Sequence, residues 1–181
     1  MIAFVSGGAR SGKSRHAEAL ARAYHAQRGG RLVYLATAQA RDAELSARID
    51  RHRRQRGDDW HTLEAPLYLD TALAEVKREE TVLLDCLTLW SSQWLYAGGG
   101  SDAGGEAMLT RVLDMARERR IALVVVSNDL NEGLPPTDSE TWRYLAFLQR
   151  LHSLLARKAD SVQEVIAGLP IEWKTAKEAI S

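Results

Sequence analysis

The chain has 181 residues, and its 24 basic and 24 acidic side chains cancel, which excludes the basic balance of a nucleic-acid binder or a polybasic membrane protein. A chain of this length fits one domain, 1–181, able to bury roughly 70% of the surface that its unfolded form exposes. Cys86 is the only cysteine, so an internal disulfide framework and a Cys-rich zinc site are excluded, as suits a reducing cytoplasm.

No apolar run approaches the ~20 residues that span a bilayer. The start "MIAFVSGG" passes straight into an apolar strand, so a soluble, unprocessed protein is expected. In chain order, short β-rich runs alternate with longer amphipathic stretches, which predicts an α/β domain with a mainly parallel sheet. Strands are expected at 2–6, 31–36, 61–64, 81–85 and 121–127, with helices over 13–28, 40–56, 67–78, 87–97, 106–119 and 139–159. "GGGSDAGG" at 98–105 reads as a flexible loop between helices, either a lid or a surface insertion. "SVQEVIAGLPIEWK" holds two apolar runs around Gly168 and Pro170, which predicts a closing hairpin with an antiparallel last strand.

Residues 6–15, "SGGARSGKSR", fit the phosphate-loop pattern G-x-x-x-x-G-K-[ST] through Gly7, Gly12, Lys13 and Ser14. The turn Gly7, Gly8, Ala9, Arg10, Ser11, Gly12 lies between an expected strand and helix. Its backbone N–H groups and the helix N-terminus have no intrahelical partners and suit phosphate oxygens. Lys13 is expected to reach the β- and γ-phosphates, and Ser14 to hold Mg²⁺ through its hydroxyl. Asp85 ends the strand "TVLLD", where α/β ligand sites lie, and reads as a second Mg²⁺ ligand or as the N-cap of the next helix.

If 40–56 is helical, Leu45, Ile49, His52 and Arg56 share one stripe, so His52 reads as a core histidine or, beside Arg51, Arg53, Arg54 and Arg56, as a group facing polyphosphate. Trp90, Trp94 and Trp142 read as core or subunit contacts, with a substrate groove the alternative. His16, His25, His61 and His152 are assigned to surface or packing.

"GGARSGKSRHAE", "VYLATAQARDAELSARIDRHRRQRGDDWHTLEAP", "LLDCLTLWSSQWL" and "VVSND…GLPP" resemble successive blocks of the bifunctional adenosylcobinamide kinase / adenosylcobinamide-phosphate guanylyltransferase family, from residue 2 to about 174. The phosphate loop is shared by many NTPases, whereas H-x-x-x-R…W-x-T-x-E-x-P is specific to this family. The resemblance implies a RecA-like P-loop fold with an antiparallel C-terminal strand. It also implies an enzyme that phosphorylates adenosylcobinamide with an NTP, ATP or GTP, and then transfers GMP from GTP to adenosylcobinamide phosphate through a guanylylated histidine. That histidine falls on His52. Arg53, Arg54, Gln55 and Arg56 match the segment that contacts the guanine nucleotide. Thr37, with Ala38 and Gln39, matches a further contact, Glu64 an acidic nucleotide contact, and Asp85 the acidic position after the third long strand. The resemblance further implies a homo-oligomer, with a trimer the favoured form, since members can form trimers.

The residue chemistry agrees with those roles. Imidazole attacks when neutral and leaves readily from phosphorus. A carboxylate such as that of Glu64 only accepts, which suits the N1–H and amine edge of guanine; a strand-end salt bridge is the alternative. The chain departs from the family at Asp129, where the pattern has Glu, and at Glu172 in the closing strand. Two other functions start from the same loop: a plain small-molecule kinase, with His52 structural, and a nucleotide-switched binding module. Pyrophosphate release from GTP separates the first from the bifunctional enzyme, and neutral net charge weighs against nucleic acid as a partner of the second.

Overall fold

The computed structural model describes residues 1–38, 59–130 and 137–175. The runs IAFVS, LVYLA, TVLLD and ALVVV are almost continuously apolar, the pattern of parallel strands covered on both faces. They form β1 (Ile2–Ser6), β2 (Leu32–Ala36), β4 (Thr81–Asp85) and β5 (Ala122–Val126), and all four are buried nearly throughout. Together with β3 (Trp60–Glu64), β6 (Ser161–Ile166) and β7 (Leu169–Lys174) they make one seven-stranded sheet of order β3-β2-β4-β5-β1-β6-β7. Every pairing is parallel except that of β7 with β6, so the expected antiparallel closing hairpin is present.

Five helices connect the described strands: α1 (Lys13–Arg28), α2 (Leu69–Ala74), α3 (Leu87–Tyr96), α4 (Asp102–Glu118) and α5 (Ser139–Lys158). Alternate strand residues face opposite sides of the sheet. Ile2, Phe4, Val33, Leu35, Leu84 and Val125 pack with side chains of α2 to α5, including Leu73, Trp90, Val112 and Phe147. Ala3, Val5, Tyr34, Leu83 and Val126 lie in the second core layer with Ala17 and Ala21 of α1, whose small side chains let that helix approach the sheet closely. The chain leaves β1 for β2 on one side and returns from β5 to β6 on the other. The carboxyl end of β1 is therefore a switch point, where open α/β sheets bind ligands.

Two elements differ in extent from the sequence expectation. The glycine run at 98–105 is half helix: α4 begins at Asp102, with Ser101 Oγ capping it by accepting from Gly104 N at 3.1 Å. Trp94 Nε1 donates to Ser101 O at 2.8 Å, and a Cβ on Gly105 would come within 2.4 Å of the Phe147 ring. These glycines are used for close packing, which propensity alone does not reveal. Conversely, the helix expected at 67–78 is only α2; Arg119 Nη1 donates to Ala74 O and Val76 O and holds the chain as it turns away. The expected helix at 40–56 lies outside the described residues.

Candidate active site

The loop after β1 is shaped by glycines that no other residue replaces cheaply. Gly7 has φ 153°, and a Cβ there would sit 2.5 Å from Val165 O and 2.7 Å from Ser11 Oγ. Gly12 has φ 91° at the N-cap of α1 and lies against the hairpin turn, where its Cβ would be 3.3 Å from Gly168 Cα. Two distant segments hold the loop: Asp129 N donates to Gly7 O at 2.9 Å, and Gly168 N donates to Ser11 O at 2.8 Å. Gly7 is buried, Gly8, Ser11 and Ser14 are partly exposed, and Ala9 and Arg10 face solvent.

Lys13 is 8% exposed and folds back to donate from Nζ to Gly8 O at 3.1 Å. Burial pulls its ammonium below the usual lysine range, while Cys86 and Asp85 pull the other way. Ser11 Oγ is buried with no hydrogen-bond partner among the described residues. An orphaned hydroxyl, a glycine cradle and a lysine together fit a phosphate-bearing ligand. The Ser14 hydroxyl and the Asp85 carboxylate are hard oxygen donors of the kind Mg²⁺ takes alongside phosphates and water.

The family model for cobinamide kinase / cobinamide phosphate guanyltransferase matches residues 3–173. The chain belongs to this family. A "bifunctional adenosylcobalamin biosynthesis protein CobP" of Pseudomonas aeruginosa is 38% identical over 94% of this chain and 95% of its own length. Proteins named "bifunctional adenosylcobalamin biosynthesis protein CobU" from Salmonella typhimurium and Escherichia coli are 33% and 31% identical, each over 96% of this chain and the whole of their own. Among solved structures, a KaiC-like protein of Pyrococcus horikoshii superposes with a TM-score of 0.57 at 10% identity over 99% of this chain and 81% of its own. The flagellar accessory protein FlaH of Methanocaldococcus jannaschii gives 0.54 at 11% identity, over 96% and 78%. At such identities the likeness concerns the fold alone, which is the RecA-like P-loop class.

Within this cobinamide kinase family fold, Asp85 ends β4 in register with Ala36 of β2 and Val126 of β5. Tyr34 OH donates to Asp85 Oδ2 at 3.0 Å and fixes the carboxylate. The N-cap position of α3 is Cys86, with no side-chain cap, so Asp85 is not consumed in capping. Burial, reinforced by Asp85, pushes the Cys86 thiol up to about 11, which leaves it protonated and inert at neutral pH.

Thr37 is fully buried. Its Oγ1 donates to Cys86 O at 2.9 Å and accepts from Cys86 N at 2.8 Å, while Gln93 Nε2 donates to its carbonyl at 2.6 Å. It braces the Asp85–Cys86 turn, and Ala38 beside it is partly exposed. Glu64 ends β3 in register with Ala36 and is exposed; among the described residues it forms no ion pair, so the salt-bridge alternative finds no partner there. It stands four strands from β1, roughly 19 Å at ordinary strand spacing. Gln39, His52, Arg53, Arg54, Gln55 and Arg56 lie outside the described residues.

Of the other histidines, His16 Nε2 lies 2.7 Å from Gln163 Oε1, and His61 is exposed. Trp90 is fully buried and stacks on Trp94 with centroids 5.8 Å apart, whereas Trp142 is 51% exposed. Gly168 and Tyr34 were not legible as supports of the site, and Asp129 stood out only as a departure from the family pattern. Their bonds to the loop or to Asp85 cross long sequence separations, which no local motif records.

Proposed function

We propose that this chain is a bifunctional enzyme that phosphorylates adenosylcobinamide and then guanylylates the product. The single observation that carries the reading is the family match over residues 3–173, which includes a formed phosphate loop. In the first step the substrate hydroxyl oxygen attacks the γ-phosphorus of an NTP. The bond to the β–γ bridging oxygen breaks, the hydroxyl proton is released, and NDP leaves. In the second step an imidazole nitrogen of His52 attacks the α-phosphorus of GTP and pyrophosphate leaves. An oxygen of adenosylcobinamide phosphate then displaces the imidazole, forming adenosylcobinamide-GDP.

The loop Gly7–Gly12 and Lys13 hold the phosphates in both steps. Ser14 and Asp85 hold Mg²⁺, which offsets charge on the transferring and leaving groups. Thr37, Ala38, Gln39, Arg53, Arg54, Gln55 and Arg56 contact the guanine nucleotide, and Glu64 accepts from the guanine edge. ATP and GTP serve as phosphoryl donors. The chain acts as a single domain in the cytoplasm, without nucleic acid or membrane. No helix among the described residues is long and apolar enough to cross a bilayer. It works as a homo-oligomer, a trimer; exposed Leu169 and Trp173 on the edge strand β7 support a subunit contact there.

The test is covalent labelling. GTP labelled at the α-phosphate should leave label on the protein that is lost in acid and survives base, as a phosphorus–nitrogen bond requires, and γ-label should not remain. His52→Asn should abolish labelling and GMP transfer while phosphorylation of adenosylcobinamide continues. Unlabelled wild-type protein that still transfers GMP would exclude the guanylyl-histidine, and phosphorylation without pyrophosphate release would identify a plain kinase.

A further inference from the structure

On the face of the sheet opposite α1, a chain of hydrogen bonds runs from α5 to the turn after β5. His152 Nε2 lies 2.7 Å from Ser127 Oγ, and Ser127 Oγ lies 2.8 Å from Thr88 Oγ1 at the start of α3. Asn128 N donates to Thr88 Oγ1 at 2.7 Å. The next residue, Asp129, donates from its N–H to Gly7 O. Proton bookkeeping gives the chain a direction. Thr88 Oγ1 accepts from Asn128 and could accept once more, but Ser127 Oγ is the one acceptor in reach of its own proton among the described residues, so that proton goes to Ser127, whose proton goes to the ring nitrogen of His152. The reverse direction would leave the Thr88 hydroxyl proton without a partner among the described residues.

The ring environment suits an acceptor. His152 packs against Phe4 with centroids 5.2 Å apart, and burial draws its pKa down to about 4 against the opposing pull of Asp129. Thr88 and Ser127 are themselves 8% and 0% exposed, so water cannot readily replace a lost link.

We propose that His152 is a positioning residue for nucleotide binding: it terminates the hydrogen-bonded chain that fixes the Ser127–Asp129 turn and, through Asp129, the first glycine of the phosphate loop. The proposal rests on the reading that this loop binds GTP. Displacing a phosphate cradle by a fraction of an ångström weakens several donors at once, so a residue that never touches the ligand controls its affinity.

The test is GTP affinity with Mg²⁺ by calorimetry, together with steady-state KM and kcat and with urea stability, in three variants. His152→Leu removes the acceptor, His152→Gln keeps an acceptor at the ε position, and Ser127→Ala cuts the chain one link on. His152→Leu and Ser127→Ala should each weaken GTP binding about tenfold, mainly in KM, as expected for a broken buried link. His152→Gln should recover to within about threefold, and the double variant His152→Leu/Ser127→Ala should be no weaker than either single, because both cut one chain. Wild-type affinity in all three variants, with stability alone reduced, would reduce His152 to a core contact and overturn the proposal. Should His152→Leu fail to fold, Ser127→Ala decides alone, and unchanged affinity there has the same meaning. Wild-type protein that binds no GTP would instead overturn the nucleotide reading itself, a result read without any variant.

Discussion

At Lys13 the ammonium is folded onto Gly8 O and kept from solvent, within the glycine cradle whose donors suit a phosphate. Lys13→Ala should therefore lower kcat/KM by roughly 100-fold in both the kinase and guanylyl steps, the scale of losing one charged donor from a transition state. Initial rates of each step under saturating Mg²⁺ measure it, and near-normal rates in both would remove the loop from the mechanism. Glu64 tests the opposite end of the sheet edge. Glu64→Gln replaces an acceptor-only group by one that also donates, so the preference for GTP over ATP should fall about tenfold while phosphate affinity holds. Competition assays report it, and an unchanged preference would return Glu64 to a surface role.

Among the elements, α4 shows how glycine can be a packing residue. Within a helix interior, Gly→Ala ordinarily gains about 1 kcal/mol. At Gly105 the new Cβ would meet the Phe147 ring at 2.4 Å, and overpacking costs ~1–3 kcal/mol, so Gly105→Ala should be net destabilising. At Gly104 the nearest atoms stand at 3.1 Å, so Gly104→Ala should be the better tolerated of the two. Urea midpoints of both variants decide the matter; equal midpoints would mean that α4 shifts away from α5 without cost. The β6–β7 hairpin is likewise more than a closing edge, since its turn donates from Gly168 N to Ser11 O and thereby links the end of the described chain to the phosphate loop.

For the whole molecule, buried titratable groups predict loss of stability in acid. The folded-state pKa of His152 is drawn below its ordinary 6.5, to about 4, so between those values the unfolded chain binds a proton that the folded chain does not. Stability therefore rises with pH across this window, and falls as pH drops from about 6.5 toward 4 by up to roughly 3 kcal/mol. Glu80 acts lower: its burial favours the neutral acid, yet hydrogen bonds from Arg31 and from Lys77 N hold it below the usual carboxylate range, so its contribution is lost only as pH falls below about 4.5. Urea unfolding of wild type and His152→Gln at pH 7, 5.5 and 4.5 should separate the two, with the variant losing less stability over that range. Parallel losses would assign the acid sensitivity to the carboxylates.

Sequence by itself determined most of what is local, though not the extent of α2 or the start of α4. The apolar runs marked four buried strands, the spacing of Gly7, Gly12, Lys13 and Ser14 marked the glycine loop that opens α1, and the run TVLLD placed Asp85 at a strand end, because strand periodicity, left-handed glycines and helix starts are all written within a few residues. The family blocks extended this to function. Tertiary structure alone decided which distant groups meet: Tyr34 on Asp85, Gly168 on Ser11, Asp129 on Gly7, and His152 on Ser127. His152 lies on a helix whose pattern predicts only packing, and the glycines at 104 and 105 look like loop until Trp94 and Phe147 stand against them. These outcomes depend on strand order and on which helix crosses which strand, and neither is encoded in the spacing of neighbouring residues; both follow from the collective burial of two apolar layers on one sheet.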